Sequence, residues 1–157
     1  MIINPGSSGT TVLQVEKTAV QTVFNSNVLV DDNQLTLAIA ASQIYYLELN
    51  IQGANSGVVA GFKLSINAPA GCTQNGVWIG TAASISVLTT YIQRTDVAMP
   101  DIVGNYFTTA YDGWITVRGV VRTGGLSGAL TVQWAQTVAD ASNTQVYKGS
   151  SFRLTKF

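Results

Sequence analysis

The sequence predicts an all-β fold, a jelly-roll-like antiparallel β-sandwich with no significant helix. Three observations point there. Short segments rich in β-branched and aromatic residues alternate apolar with polar positions; Gly, Asn and Asp separate them at spacings that suit a sandwich or barrel; and no stretch competes with helical periodicity. Two sheets closed face to face make a jelly roll the leading architecture, with other Greek-key sandwiches next. At 157 residues the chain has the usual length of one domain, enough to bury a core without a metal or disulfide staple. The expected organisation is a flexible N-terminal arm over residues 1–11 and a single β-sandwich domain over residues 12–157.

The arm holds Asn4-Pro5-Gly6-Ser7-Ser8-Gly9, small polar turn formers that cannot contribute to a core. The clearest strand is Gln34 to Ala40, where Leu35, Leu37 and Ile39 alternate with Gln34, Thr36 and Ala38. Ala41-Ser42 makes a tight link to Gln43 to Gln52, which sets Tyr45, Leu47, Leu49 and Ile51 against Ile44, Tyr46, Glu48 and Asn50. Gly61 to Asn67 puts Phe62, Leu64 and Ile66 on one side, and Pro69-Ala70-Gly71 ends it because proline cannot donate to a ladder. Asn75-Gly76 reads as a loop, followed by strands at Val77 to Gly80 and Ser84 to Gln93, the latter with Ile85, Val87 and Thr89 opposite Ser86, Leu88 and Thr90.

Asp96 to Tyr111 contains Pro100 and few alternations, so it reads as a long loop with a short strand near Tyr106-Phe107. Trp114 to Arg122 resumes strict alternation, Ile115, Val117, Gly119 and Val121 against Thr116, Arg118, Val120 and Arg122. Gly124-Gly125 reads as the positive-angle pair of a hairpin turn. Ala129 to Thr137 places Leu130, Val132 and Trp134 inward and Thr131, Gln133 and Ala135 outward, and Gln145 to Lys148 and Ser151 to Lys156 complete roughly eight to ten strands. Phe152 and Leu154 share one side of the last.

Hydrophobic residues form 46% of the chain and charged residues 10%, where a soluble domain carries about 25% charged. Thr, Ser, Asn and Gln must therefore cover much of the surface, or neighbouring subunits must hide part of it. Eight basic and eight acidic residues cancel, leaving no net field to attract phosphate backbones or anionic lipid, so nucleic acid is not an expected partner. No window approaches about 18 uninterrupted apolar residues, and the first residues lack the basic start and apolar core of a secretory signal, so neither membrane span nor leader is expected. The lone Cys72 cannot close an intrachain disulfide and suits a reducing cytosol.

Histidine is absent, which removes the commonest general base and metal ligand and the partner of Ser-His or Cys-His catalysis. Cys72, between Gly71 and Thr73, has no cationic neighbour in sequence to activate its thiol. Asp31 and Asp32 point to opposite faces of an extended chain and read as a turn whose carboxylates accept backbone amides, ahead of a catalytic or metal role. Glu48 suits a solvated or intersubunit position. Gly124 to Gly128 lacks the Lys-Ser/Thr pair and following helix of a phosphate cradle. Arg94, Arg118, Arg122 and Arg153 have an outer sheet face open to them as a cluster, but isolated strand arginines are usually solvated or paired with carboxylates, so no nucleic-acid site is built from them. Trp78, Trp114 and Trp134 offer a sugar platform, with core packing preferred for Trp134. The expectation is a chain that is not an enzyme, with no catalytic residue, no cofactor and no metal site.

Three stretches carry a family likeness: Leu29-Val30-Asp31-Asp32-Asn33-Gln34-Leu35 into Leu37-Ala38-Ile39-Ala40-Ala41; Tyr45-Tyr46-Leu47-Glu48-Leu49; and the run from Gly119-Val120-Val121 through Gly128-Ala129-Leu130-Thr131-Val132-Gln133-Trp134-Ala135-Gln136 to Gly149-Ser150 and Leu154. In these the chain resembles small virion structural modules of tailed bacteriophages and prophages. The resemblance implies a tumour-necrosis-factor-like jelly roll that forms a homotrimer on the capsid or at a fibre tip. With only a short arm before Val12 and no fibrous shaft, a capsid decoration or head-fibre protein is expected ahead of a tail-fibre or tail-tip receptor-binding module. The expected partners are the major capsid protein or another virion protein, reached through residues 1–11, and in the alternative a host surface glycan. The expected location is the virion, assembled in the host bacterial cytoplasm.

Overall fold

The computed structural model describes residues 11–57, 60–81, 88–99, 102–106 and 111–157. These residues form strands and connections without a helix: β1 (Val12–Glu16), β2 (Gln21–Phe24), β3 (Val30–Ile39), β4 (Ile44–Asn55), β5 (Phe62–Asn67), β6 (Thr73–Thr81), β7 (Leu88–Ala98), β8 (Ile102–Tyr106), β9 (Tyr111–Arg122), β10 (Gly128–Ala135), β11 (Asn143–Val146) and β12 (Ser151–Lys156). Every pairing is antiparallel. The larger sheet runs β1-β12-β4-β9-β6-β7, with β11 joining β4 to β2; the smaller runs β3-β10-β5-β8. The fold is thus an all-β, jelly-roll-like sandwich.

The period-two pattern becomes the interior directly. Leu35, Leu37 and Ile39 of β3, Tyr45, Leu47, Leu49 and Ile51 of β4, Ile115, Val117 and Val121 of β9, Leu130, Val132 and Trp134 of β10, and Phe152 and Leu154 of β12 form one apolar core. Trp134 is fully buried and stacks on Phe62 of the neighbouring β5, centroids 5.7 Å apart and planes 8° from parallel. Burial of an aromatic of that size is worth several kcal/mol, so this pair anchors the smaller sheet. Ala135, expected outward, is also fully buried. It closes the end of β10 opposite Lys63, where the next residue, Gln136, is buried beneath the 24–29 turn.

Of the strands consecutive in sequence, only β6 and β7 pair among the described residues. The other links mostly cross between layers. Ala41-Ser42, tight as expected, carries the chain from β3 in one sheet to β4 in the other, with Ser42 at φ 53°. The Gly124-Gly125 segment is likewise a corner between β9 and β10, and neither glycine has a positive φ, so the hairpin expected there is corrected. Gly124 is required for another reason: a Cβ there would lie 2.9 Å from the Ala70 carbonyl oxygen and 3.0 Å from the Gly71 Cα. The Ser42 amide donates to the Gly124 carbonyl at 2.8 Å, while the Thr123 hydroxyl accepts from the Gln43 amide and donates to the Ala40 carbonyl. Corners 40–43, 69–71 and 123–124 are therefore locked together at one end of the sandwich.

Other boundaries also move. Asn75-Gly76 is inside β6 and not in a loop, because Gly76 faces Gly119 of β9 and the missing side chains let the strands approach; a Cβ on Gly76 would come 2.5 Å from the Arg118 carbonyl oxygen. β7 extends to Ala98 and β8 occupies Ile102–Tyr106, so the loop expected over Asp96 to Tyr111 is largely strand. Phe107, the part of the Ser84 to Gln93 strand before Leu88, and the arm over residues 1–10 lie outside the described residues. Thr11 is exposed, and its carbonyl accepts the Lys156 amide at 2.9 Å, so the β1–β12 ladder reaches the first described residue.

Candidate functional site

The sequence candidates separate into interior and surface groups. Cys72 is buried beyond the 69–71 corner; its amide donates to the Pro69 carbonyl at 3.3 Å and its carbonyl accepts the Met99 amide at 3.0 Å. Asp31 and Asp32 do diverge. Asp31 is exposed and accepts the Gln133 side-chain amide at 2.8 Å, whereas Asp32 turns inward and accepts the Gln34 and Leu35 amides at 2.9 and 3.0 Å. The expected acceptance of backbone amides is present, but at a register irregularity within β3 and not in a turn before it, because β3 already pairs with β10 at Val30 and Asp31. Two further partners were not legible: the Trp134 Nε1–H donates to Asp32 at 3.2 Å, and the Lys17 ammonium, wholly buried, sits 2.9 Å from the carboxylate. Lys17 also donates to Asn33 Oδ1 at 2.9 Å and to Gln21 Oε1 at 3.4 Å, so its three donors have three acceptors. This saturated cluster ties the β1–β2 link to β3 and β10 and leaves no open valence for a ligand.

The broad accessible surface is the outer face of the larger sheet, where register fixes which side chains lie in rows. One row crosses β9, β4 and β12 as Arg118, Glu48 and Arg153, with Arg153 Nη1 3.4 Å from Glu48 Oε2. Arg122 lies two residues along the same face, beside Ile44. Arg118, Arg122 and Arg153 thus share the outer face, with Arg153 paired to a carboxylate; the Arg94 side chain lies outside the described residues. Toward the corner end the face turns apolar. Ile44 is 44% exposed and Phe157 76%, the Phe157 amide donates to the Ile44 carbonyl at 3.1 Å, and the adjacent row reads Val120, Tyr46, Thr155 and Val12.

The opposite end of this face is aromatic and amidic. Trp114 of β9, 48% exposed, stands directly across from Gln52 of β4. On its other side Gln52 meets the 147–150 turn: its carbonyl accepts the Tyr147 amide at 2.9 Å and its amide donates to the Ser150 hydroxyl at 3.0 Å. Because both polar groups of Gln52 point toward that turn, Gln52 and Trp114 form a non-hydrogen-bonded pair, the kind whose side chains stand closest. Tyr147 is half-buried and lies just past β11, where the register of Val146 opposite Gly53 brings it beside Gln52. The next row contains Asn50 and Thr116, whose hydroxyl donates to Asn50 Oδ1 at 3.1 Å. Among the sequence candidates for a sugar platform, Trp114 is therefore on the surface, Trp134 is core, and the Trp78 side chain lies outside the described residues.

Among the described residues no three of His, Cys, Asp and Glu converge to hold a metal ion, and no helix is long and apolar enough to cross a membrane. No protein-family model matches the sequence. No curated protein matches it either. The structure of infectious bursal disease virus Gx strain is similar at 12% identity and TM-score 0.25, over 99% of this chain and 44% of that one. The Gt strain structure gives 12% identity and TM-score 0.28, over 100% and 45%. This chain spans less than half the length of those proteins, and a likeness of that TM-score sets neither fold nor function.

Proposed function

We propose that this chain is a non-enzymatic structural protein of a bacteriophage virion, a homotrimer that decorates the capsid and is anchored through residues 1–11. The observation that carries the reading is the outer face of the larger sheet. It is broad and open, carries Arg118, Glu48, Arg153 and Arg122, and at its corner end exposes Ile44 and Phe157 beside Val12, Tyr46 and Val120. An exposed apolar cluster rimmed by polar and charged side chains, as Arg122 and Thr155 rim this one, marks an interaction site. The family likeness of the β3, β4 and β10 sequences supports the virion assignment, and the absence of histidine supports a role without catalysis. Light scattering over a dilution series tests the trimer, and cosedimentation with decoration-free capsids tests the anchor. Trimer mass at micromolar concentration, with capsid binding lost on deletion of residues 1–11, is the expected result. A stable monomer, or unchanged capsid affinity without the arm, would defeat the corresponding half of the proposal.

A further inference from the structure

We infer that Trp114, Gln52 and Tyr147, with Asn50 and Thr116 in the next row, form a binding platform for an extended, uncharged, β-linked oligosaccharide. A pyranose ring has an apolar C–H face and a hydrogen-bonding rim. It is complemented by an aromatic face beside side chains that both donate and accept. The row supplies that combination: Trp114 on β9, Gln52 across from it on β4, and on the other side of Gln52 the turn residue Tyr147, whose amide donates to the Gln52 carbonyl. Asn50 and Thr116 lie one step further along the same face, about 7 Å away, as a second polar row beneath the aromatics.

Three properties fix the ligand class. Trp114, Gln52, Tyr147, Asn50 and Thr116 are themselves uncharged, with the Glu48–Arg153 ion pair in the following row and Lys148 at the turn as flanking charges, so the platform itself calls for no carboxylate or phosphate. Trp114, Gln52, Asn50 and Thr116 project from paired strands, so that part of the platform is preformed and flat, which suits an extended chain better than a coiled one. An apolar partner surface would find its complement at the corner end, where Ile44, Tyr46, Val120 and Phe157 collect. The inference is independent of the trimer and capsid assignments, since it concerns the opposite end of the face.

The test is calorimetric titration of the full chain with cellohexaose and chitohexaose, using maltohexaose as the coiled comparison. Saturable binding of at least one β-linked probe is expected. Trp114→Ala and Gln52→Ala should each weaken it by about tenfold or more, Trp114→Phe should recover part of the loss, and Leu126→Ala, at an exposed site in the far corner, should change nothing. Thermal melting of each variant confirms that it is folded. Failure of the wild type to bind either β-linked probe at millimolar concentration overturns the inference, as does equal affinity in folded Trp114→Ala or a preference for maltohexaose. If Trp114→Ala dissociates an oligomer that binds no sugar, the aromatic row is a subunit contact and the saccharide reading falls.

Discussion

Trp134 and Trp114 sit on strands with equally clear alternation, yet one is fully buried and the other is 48% exposed. The difference is one of phase. Trp134 shares its parity with Leu130 and Val132, so it turns into the sandwich against Phe62; Trp114 shares its parity with Thr116 and Arg118, so it turns out. A tryptophan's size and apolarity alone do not place it. Its neighbours two residues away on the same face do, because every side chain of that parity faces the same medium. The inward tryptophan is further tied to the buried Lys17–Asp32 pair through its ring N–H. The outward one adds contact area beyond the core.

Substitutions can break this contrast, in decreasing order of effect. Trp134→Ala should cost about 5 kcal/mol, the upper end of the range for buried aromatics, because it opens a cavity against Phe62 and also removes a donor from a buried carboxylate. The thermal midpoint should fall by roughly 10 °C or more. Lys17→Met keeps the length of the side chain but strands the Asp32 charge in the interior. Asp32 retains two backbone donors and the indole, so about 3 kcal/mol is expected, at the lower end for a broken buried pair. In denaturant melts the Lys17→Met and Trp134→Ala effects should not add, since both act on Asp32. Trp114→Ala should shift stability by no more than about 0.5 kcal/mol, visible as a midpoint change of a degree or two. A large fall there would mean that Trp114 supports the fold, and the contrast between the two tryptophans would disappear.

Local chemistry made some of this legible. Leu35 to Ile39, Tyr45 to Ile51, Ile115 to Val121 and Phe152 to Leu154 announce their buried faces by strict alternation, and Asp32 announces its acceptance of backbone amides, though not its place inside β3. Asn75-Gly76 reads as a loop in sequence because Asn-Gly is a strong turn signal, and only its partner Gly119, far along the chain, shows that the pair is an approach point between strands. Lys17 was missed because lysine is almost never fully buried unless paired, and its partner lies 15 residues away. The parity of Trp114 was readable from Thr116 and Arg118. Its meeting with Gln52 and Tyr147 was not, since that depends on β4 separating β9 from the 147–150 turn.

The position of β12 has a consequence for how the chain is made. β12 lies between β1 and β4, so the first strand of the larger sheet has no partner within it until residues 151–156 have left the ribosome. Until then β4 presents an open edge along Tyr45 to Asn50, with Leu47 and Leu49 uncovered on that side. Because nearly every pairing joins distant parts of the chain, little of the sheet can form early and its closure is slow. A nascent chain therefore spends its synthesis with a sticky strand edge exposed, the condition under which neighbouring copies on one message exchange strands or aggregate. Expression yield should depend on translation rate and temperature more steeply than for a helical protein of equal length.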